Sequence, residues 1–179
     1  DAIPESRGMD LLHIRPAVGP GYRLSRYPFM RPGAVSESED GTAVAPLMGT
    51  LTEPDAGVVG GYVFPNFMIE CSSDYTVIFR FTPLSARRTA VRATWLVRAG
   101  SEPGRDYDPA RVTWFWHTTG EQDWKLCADN QMGVNSSRYA PGPYAPEERE
   151  TVVPFIAWYL DQLRAGSLQP QRQPEPILI

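Results

Sequence analysis

The sequence predicts an α+β fold in which an antiparallel sheet comes first along the chain and helices follow it. Two observations predict this order. Between residues 58 and 98, bulky and β-branched side chains alternate with polar ones, as they do in half-buried strands. After Gly104 the apolar period lengthens from two residues to three or four, as in a helix with one buried face. Such a helix is expected to lie across the concave face of the sheet and to enclose a pocket.

The strand signals fall in four stretches of sequence. Residues 22–30 alternate bulky and polar side chains, and residues 58–71 are apolar and aromatic but are interrupted at Pro65-Asn66. Residues 75–84 and 89–98 are rich in β-branched and aromatic residues, and the short link between them suits a hairpin. Three consecutive antiparallel strands are therefore predicted over 58–98. Residues 1–20 and 31–57, rich in Pro and Gly, are expected to be irregular around one short apolar stretch, Val44 to Met48.

The first helix is predicted to begin at Asp108, an N-cap residue followed by Pro109 at the first helical position. It is predicted to end near Gly133, a natural C-cap. Its three-or-four spacing places Leu126 and Asp129 on one face, together with Val112, Phe115 and Met132.

A second helix is predicted from about residue 146 to Arg164, closed by Gly166. Pro154 either kinks this helix or marks a regular part that begins near Thr151. Residues 167–179 are polar and rich in proline, and they are expected to form a mobile tail after a single domain over 1–166.

Composition narrows the class of protein. Apolar residues make up 42% of the 179 residues, which is enough for a buried core and excludes a wholly disordered chain. The net charge of −4 argues against a nucleic-acid partner. No apolar run is long enough to cross a membrane, and no signal peptide begins the sequence. Two cysteines outside any C-x-x-C pair are typical of reduced thiols in a cytoplasmic protein. The missing initiator Met suggests that the sequence starts partway through a longer protein.

Asp129 is the acidic residue that the helical pattern singles out. It shares the apolar face of the first helix with Leu126 and Met132, and a buried carboxylate usually has a cation, a metal or several donors beside it. The alternative is a hydrated Asp near the end of the helix, bonded to Asn130 or Gln131.

The histidines offer little for a metal site. His117 and Glu121 lie four residues apart, a spacing that can hold a metal, but a solvated pair on the helix surface fits equally well. Because His13 is the other histidine, a site built of three or four His and Cys ligands within the chain is nearly excluded. Lys125 and Glu121 could pair on another face of the same helix.

Three stretches, 64–98, 105–148 and 155–163, resemble a known family. The most specific is QDWKLCADNQMGVNSSRYAPGPY at 122–144, with Q-D, D-N-Q-x-G-x-N-S and Y-x-P-G-P-Y in that order. In these motifs the chain resembles the C-terminal catalytic domain of Rieske-type oxygenase α subunits. Within that family it is similar to the branch of glycine betaine monooxygenase and related N-demethylases. The resemblance is good over residues 60–179 and weak over 10–57.

The resemblance implies a helix-grip fold of the START/Bet v 1 type, a curved antiparallel sheet wrapped around a long C-terminal helix. It also implies one mononuclear non-haem Fe(II), held by two histidines and one carboxylate, with open positions for O₂. The D-N motif carries the carboxylate over to Asp129, preceded here by Ala128 where several relatives have an acid. The two histidines and the Rieske [2Fe–2S] cluster belong to an N-terminal half that this sequence does not contain. The 179 residues alone are therefore expected to be inactive.

By the same resemblance, the intact enzyme receives electrons from a reductase or ferredoxin. It then hydroxylates an aromatic compound or oxidatively N-demethylates a quaternary amine such as glycine betaine. Tyr62, Phe64 and Leu126 are expected to line the substrate pocket, with ordinary core packing as the alternative. Aromatic walls suit an aromatic ring or a quaternary ammonium equally.

The resemblance further implies a homo-oligomer, commonly a trimer. Two rival hypotheses remain open: a non-enzymatic helix-grip carrier of a small apolar ligand, and a truncated gene product that acts only by assembly with full-length subunits.

Overall fold

The computed structural model describes residues 17–28, 31–55, 57–145 and 152–166. The chain divides into two compact units, Asp1–Ala140 and Pro141–Ile179. The first unit contains the sheet and the long helix, and the second contains one shorter helix. Each unit is described by itself.

Six strands form one sheet within the described part of the first unit. They are β1 (Ala17–Gly19), β2 (Tyr22–Pro28), β3 (Gly57–Val63), β4 (Phe67–Cys71), β5 (Tyr75–Ser85) and β6 (Arg88–Val97). Their order in the sheet follows their order in the chain, and every neighbouring pair is antiparallel. The predicted α+β class with an antiparallel meander is therefore confirmed.

Two strand predictions were wrong. The segment 57–71 forms two strands rather than one, because Phe64, Pro65 and Asn66 make a turn and Pro65 has no N–H to donate to a ladder. Residues 57–97 thus contain four strands where three were predicted. The short strand β1 lies in a stretch predicted to be irregular and pairs with β2. The rest of that prediction, over residues 1–16, lies outside the described residues.

One face of the sheet, hereafter the covered face, carries the core. On this face Gly60, Glu70, Val77 and Trp95 lie side by side across β3 to β6. The core cluster consists of Tyr75, Val77 and Phe79 from β5, together with Val44 and Val112. Val44 comes from the segment 31–55, which forms no regular helix or strand, as predicted. This segment, hereafter the loop 31–55, and the start of the long helix therefore close over the covered face.

The long helix, α1, spans Pro109–Val134. Its N-cap is Asp108, whose side chain accepts a hydrogen bond from the Ala110 N–H at 2.9 Å, as the sequence predicted. Its C-cap is Asn135, two residues after the predicted Gly133.

Only the first part of α1 packs against the sheet. Val112 is 2% exposed, whereas every residue from 121 to 134 is exposed. The expectation that the helix lies across the sheet over its whole length was therefore wrong for the described residues. After Gly120 the apolar stripe is too thin to bury, because the charged side chain of Asp129 interrupts it.

The second helix, α2, spans Val152–Arg164. Pro154 lies in its first turn, where a missing backbone N–H costs no helical hydrogen bond. This position agrees with the predicted start near Thr151; the alternative start at residue 146 lies outside the described residues, as does the tail 167–179. Phe155 stacks on Trp158 and Tyr159, with ring centroids 6.2 Å apart in each case. Neither described helix is long and apolar enough to cross a bilayer.

Candidate functional site

The loop 31–55 is fastened to the turn between β4 and β5. Asp74, fully buried in that turn, accepts hydrogen bonds from the Ser36 hydroxyl at 2.9 and 3.1 Å and from the Val44 N–H at 2.7 Å. The Met48 N–H donates to the carbonyl oxygen of Ser73 at 2.8 Å. Because the Ser36 hydroxyl, shared between the two oxygens, and the Val44 N–H satisfy its carboxylate, Asp74 is a structural anchor rather than a reactive group.

This anchoring brings Glu37 of the loop against the core. Its side chain accepts a hydrogen bond from Trp116 Nε1 of α1 at 3.1 Å, and its carbonyl oxygen accepts one from the Tyr75 hydroxyl of β5 at 2.6 Å. Burial raises the pKa of Glu37 to about 7, and the nearby charge of Glu70 adds to the increase. The donors Trp116 and Ser72 act in the opposite direction on this pKa.

Glu70 points from β4 onto the covered face and is only 4% exposed. The Tyr27 hydroxyl of β2 donates a hydrogen bond to its Oε2. Between these strands, β3 places Gly60 directly opposite Glu70, where a Cβ would collide with both the Glu70 carboxyl and the Tyr27 hydroxyl. Burial raises the pKa of Glu70 to about 7, partly offset by the hydrogen bond from Tyr27.

Glu37 and Glu70, hereafter the carboxyl pair, both lie at the covered face, and the charge of Glu70 contributes to the raised pKa of Glu37. Among the described residues, no lysine or arginine forms an ion pair with either group. The buried Ser72 hydroxyl makes no hydrogen bond of normal geometry, although it lies close enough to lower the pKa of Glu37. Two acids with little compensating charge are able to hold a proton near neutral pH.

Asp129, the predicted iron ligand, lies on the exposed part of α1. Its Oδ2 accepts a hydrogen bond from Lys125 Nζ one turn earlier, and its side chain is half-exposed. The prediction that Lys125 pairs with Glu121 was wrong. Instead, Glu121 faces His117, with 3.5 Å between Oε1 and Nε2. His117 and Glu121 therefore form the solvated pair that was one of the two readings of this spacing.

A complete metal site is absent from the described residues, since no group of three or more His, Cys, Asp or Glu side chains converges in them. Asp129 and His117 are twelve residues apart on α1, about 18 Å along its axis. His13 lies outside the described residues. The described residues could supply an iron centre with one carboxylate ligand. The assignment of Asp129 as that ligand stays a prediction.

The three predicted pocket residues lie in two places. Tyr62 ends the covered face of β3 and is 46% exposed, and Phe64 follows in the turn and is half-buried. Leu126 lies on the exposed part of α1 and is 67% exposed, as is Met132. The alternative to a pocket role was burial in the core, and the exposure of Tyr62 and Leu126 excludes it for both residues in this structure. Their role in a pocket stays a prediction.

Sequence reasoning missed the carboxyl pair. A signal did exist for Glu70, because it is the sole acid in the apolar segment 57–71 and alternates onto the same face as Gly60 and Tyr62. No comparable signal existed for Glu37, because it lies in an irregular segment and meets its partners only through tertiary contacts.

The family model described as "Ring hydroxylating alpha subunit (catalytic domain)" matches residues 12–165. The glycine betaine monooxygenase oxygenase subunit of Chromohalobacter salexigens is 38% identical over 142 residues, which are 79% of this chain and 32% of that protein. Its counterpart in Pseudomonas aeruginosa is 36% identical over 142 residues, 79% of this chain and 33% of that protein. The chain spans about a third of the length of the curated relatives that it matches.

Proposed function

This chain belongs to the family of ring-hydroxylating α-subunit catalytic domains, and from that membership we propose that it is the catalytic domain of a Rieske-type oxygenase. The observation that carries the proposal is the family match over residues 12–165, which includes the motif Asp129-Asn130-Gln131. When bound, a mononuclear Fe(II) supplies O₂ activation, and a Rieske [2Fe–2S] cluster supplies electrons from a reductase or ferredoxin.

The names of the relatives favour a quaternary amine over an aromatic compound as substrate. In such a reaction O₂, two electrons and two protons convert one N-methyl group into N-hydroxymethyl and release water. The N–CH₂OH group then loses formaldehyde and a proton, which leaves the tertiary amine. Glycine betaine is the substrate that we propose, and the carrier hypothesis has no observation in its favour.

Asp129 is proposed to supply the carboxylate ligand. The Lys125 ammonium that now holds it is no obstacle, because an exposed ion pair of this kind contributes only about 0–1 kcal/mol. The exposure of residues 121–134 leaves this side of α1 accessible to further protein. We place the two histidine ligands and the Rieske cluster in parts of the whole protein outside these 179 residues. In the whole protein, the helix-grip arrangement closes with Tyr62, Phe64 and Leu126 around the substrate. A trimeric assembly and a cytoplasmic location remain part of the proposal.

The test is Asp129→Ala in the whole protein, with Asp129→Asn as the variant that keeps the shape. Both should lose most of the mononuclear iron and most of the formaldehyde released from glycine betaine, while the absorption spectrum of the Rieske cluster persists. Asp123→Ala is the matched control, because Asp123 lies six residues earlier on α1 and about 240° around it. It should retain both iron and activity.

Full iron occupancy and normal turnover in Asp129→Ala would refute the ligand assignment. A whole protein that binds no mononuclear iron at all would refute the oxygenase proposal and favour a carrier.

A further inference from the structure

We propose that the β5–β6 hairpin carries a docking surface for the acidic face of the separate protein that supplies electrons to the oxygenase. The identity of this partner rests on the proposed function, because a non-enzymatic carrier needs no electron donor. The surface lies mainly on the side of the sheet opposite the covered face, hereafter the outer face. It centres on four arginines: Arg80 of β5, Arg87 in the turn, and Arg88 and Arg92 of β6.

Charge distinguishes this hairpin from the rest of the chain. Residues 75–101 contain five arginines and no Asp or Glu, whereas the whole chain has a net charge of −4. The hairpin is therefore a positive region in an otherwise acidic chain. Attraction between such a region and an acidic protein steers the two molecules together and raises the rate of association.

Strand register places two of these arginines side by side. Arg80 lies directly opposite Arg92 in the ladder between β5 and β6, and both side chains are exposed. Arg88 lies four residues before Arg92 on the same strand, so the alternation of side chains brings it to the same face. Like charges directly opposite each other destabilise a sheet. A carboxylate from a partner would remove this repulsion.

No acid in the described part of the chain balances these charges, since none of the four arginines forms an ion pair there. Other exposed arginines do form ion pairs. Arg105 Nη2 lies 2.8 Å from Asp106 Oδ2, and Arg164 Nη1 lies 3.2 Å from Asp161 Oδ1. The guanidinium groups of the hairpin can therefore bind carboxylates of another protein, with two parallel N–H groups for each carboxylate.

An apolar row continues from the arginine pair across the outer face. Successive cross-strand pairs align five residues: Arg92, Arg80, Phe67 of β4, Val63 of β3 and Tyr22 of β2. At about 4.8 Å between neighbouring strands, the row spans about 19 Å. Val63 is 45% exposed and Tyr22 is 41% exposed. Because aromatic residues and arginine are enriched in protein interfaces, this open row fits the face of another protein.

The composition of the surface favours a transient partner over a permanent subunit contact. Permanent interfaces are large and apolar, and few charges lie at their centre, whereas electron-transfer partners meet over small surfaces. Here the charged end of the row stays hydrated between encounters, because every arginine of the hairpin is exposed. A donor that binds, delivers an electron and leaves requires a surface of this kind.

The experiment measures binding of a plant-type [2Fe–2S] ferredoxin, a small acidic protein, to the whole protein at about 20 mM and about 200 mM salt. The same ferredoxin, in its reduced form, then serves as electron donor to the Rieske cluster in stopped-flow measurements. Steering by a charged face raises association rates by about 10–10³-fold, so the loss of two of four charges in Arg80→Gln/Arg92→Gln should lower the rate about tenfold at low salt. Most of the salt dependence should disappear with it.

Arg105→Gln/Arg164→Gln is the matched control, since it removes two exposed charges that are already paired with acids. This variant should bind ferredoxin as the wild type does. Arg80→Lys/Arg92→Lys keeps the charge and should retain most of the rate. Arg80→Gln/Arg92→Gln should leave the thermal midpoint unchanged or higher, because both side chains are exposed and the repulsion between them is removed.

Ferredoxin binding and reduction that are unchanged in Arg80→Gln/Arg92→Gln would overturn the proposal, as would a wild-type rate that does not fall with salt. A lower thermal midpoint in this variant would also overturn it, because the arginines would then pair with an acid elsewhere in the whole protein. Arginine-dependent binding to phosphatidylglycerol vesicles, with unchanged ferredoxin kinetics, would assign the surface to a membrane instead.

Reduction by dithionite separates this proposal from the proposed function. Dithionite needs no docking surface, so formaldehyde release from glycine betaine in a single turnover should be equal in the wild type and in Arg80→Gln/Arg92→Gln. No formaldehyde from either protein would refute the proposed function. Ferredoxin binding requires no turnover, so it decides the docking surface independently of that result.

Discussion

Gly60→Ala perturbs the Tyr27–Glu70 contact while leaving both residues unsubstituted. Gly60 lies directly opposite Glu70 in the ladder between β3 and β4, and an added Cβ would collide with the ends of both the Tyr27 and the Glu70 side chains. Because these are flexible side-chain ends rather than backbone, the strands can stay paired while the hydrogen bond between them is displaced.

The expected cost is the difference of two effects. A buried charged acceptor that loses its donor costs about 1–3 kcal/mol. Replacing glycine by alanine in a strand returns about 0.5–1 kcal/mol, because the unfolded chain has fewer conformations to lose. From the middle of each range, the net destabilisation should be about 1 kcal/mol. It should be larger at pH 8 than at pH 5.5, since a protonated Glu70 needs the Tyr27 donor less than an ionised one does.

Native-state hydrogen exchange of the β3 and β4 amides in the whole protein measures this cost. The matched control is Gly133→Ala, in the exposed end of α1, where a Cβ meets open space. There the same substitution should stabilise the helix by about 0.5–1 kcal/mol. If Gly60→Ala were as stable as the wild type at both pH values, the close approach of these strands and the importance of the Tyr27–Glu70 contact would both be refuted.

Two further substitutions test the core and the start of α1. Val112→Ala should destabilise the first unit by about 2 kcal/mol, because Val112 is 2% exposed and its truncation leaves a cavity. The control is Val134→Ala on the exposed end of the same helix, which should change stability by less than about 0.5 kcal/mol. Chemical denaturation of the two variants measures both changes. Asp108→Ala should destabilise α1 by about 1 kcal/mol, because the hydrogen bond from the Ala110 N–H to the cap is lost. Amide hydrogen exchange should become faster in the first turn of α1 alone. Unchanged exchange in that turn would contradict the capping assignment.

The elements that local signals specify were predictable. Asp108-Pro109 marked the start of α1 to the residue, and the short link after β5 marked the hairpin with β6. Pro65 signalled an interruption, but its outcome, a turn that separates two strands, depends on β3 and β4 pairing with each other. The exposure of residues 121–134 was not predictable from spacing, because a three-or-four period shows which residues share a face and not whether any partner covers that face.

In the candidate site too, some features follow from local sequence and others depend on tertiary contacts. The family was recognisable from a contiguous motif at 122–144, and the family match over residues 12–165 confirms it. The carboxyl pair joins residues 37 and 70, and its properties arise from burial and from a tryptophan at position 116, so no local window contains them. Asp129 shows the converse: its motif was clear, yet the described structure pairs it with Lys125 at the surface.

The sheet is wound in chain order, yet its connections differ greatly in length. The turns after β3 and β4 have three residues each and the turn after β5 has two, whereas 28 residues separate Pro28 of β2 from Gly57 of β3. Closing a connection roughly ten times longer costs about 2 kcal/mol more in chain entropy. The block β3–β6 is therefore a set of nearest-neighbour hairpins that forms rapidly, while β1 and β2 join through the most non-local pairing in the sheet. Since the loop that spans this gap also carries Glu37, the order in which the chain folds and the chemistry of the covered face depend on the same segment.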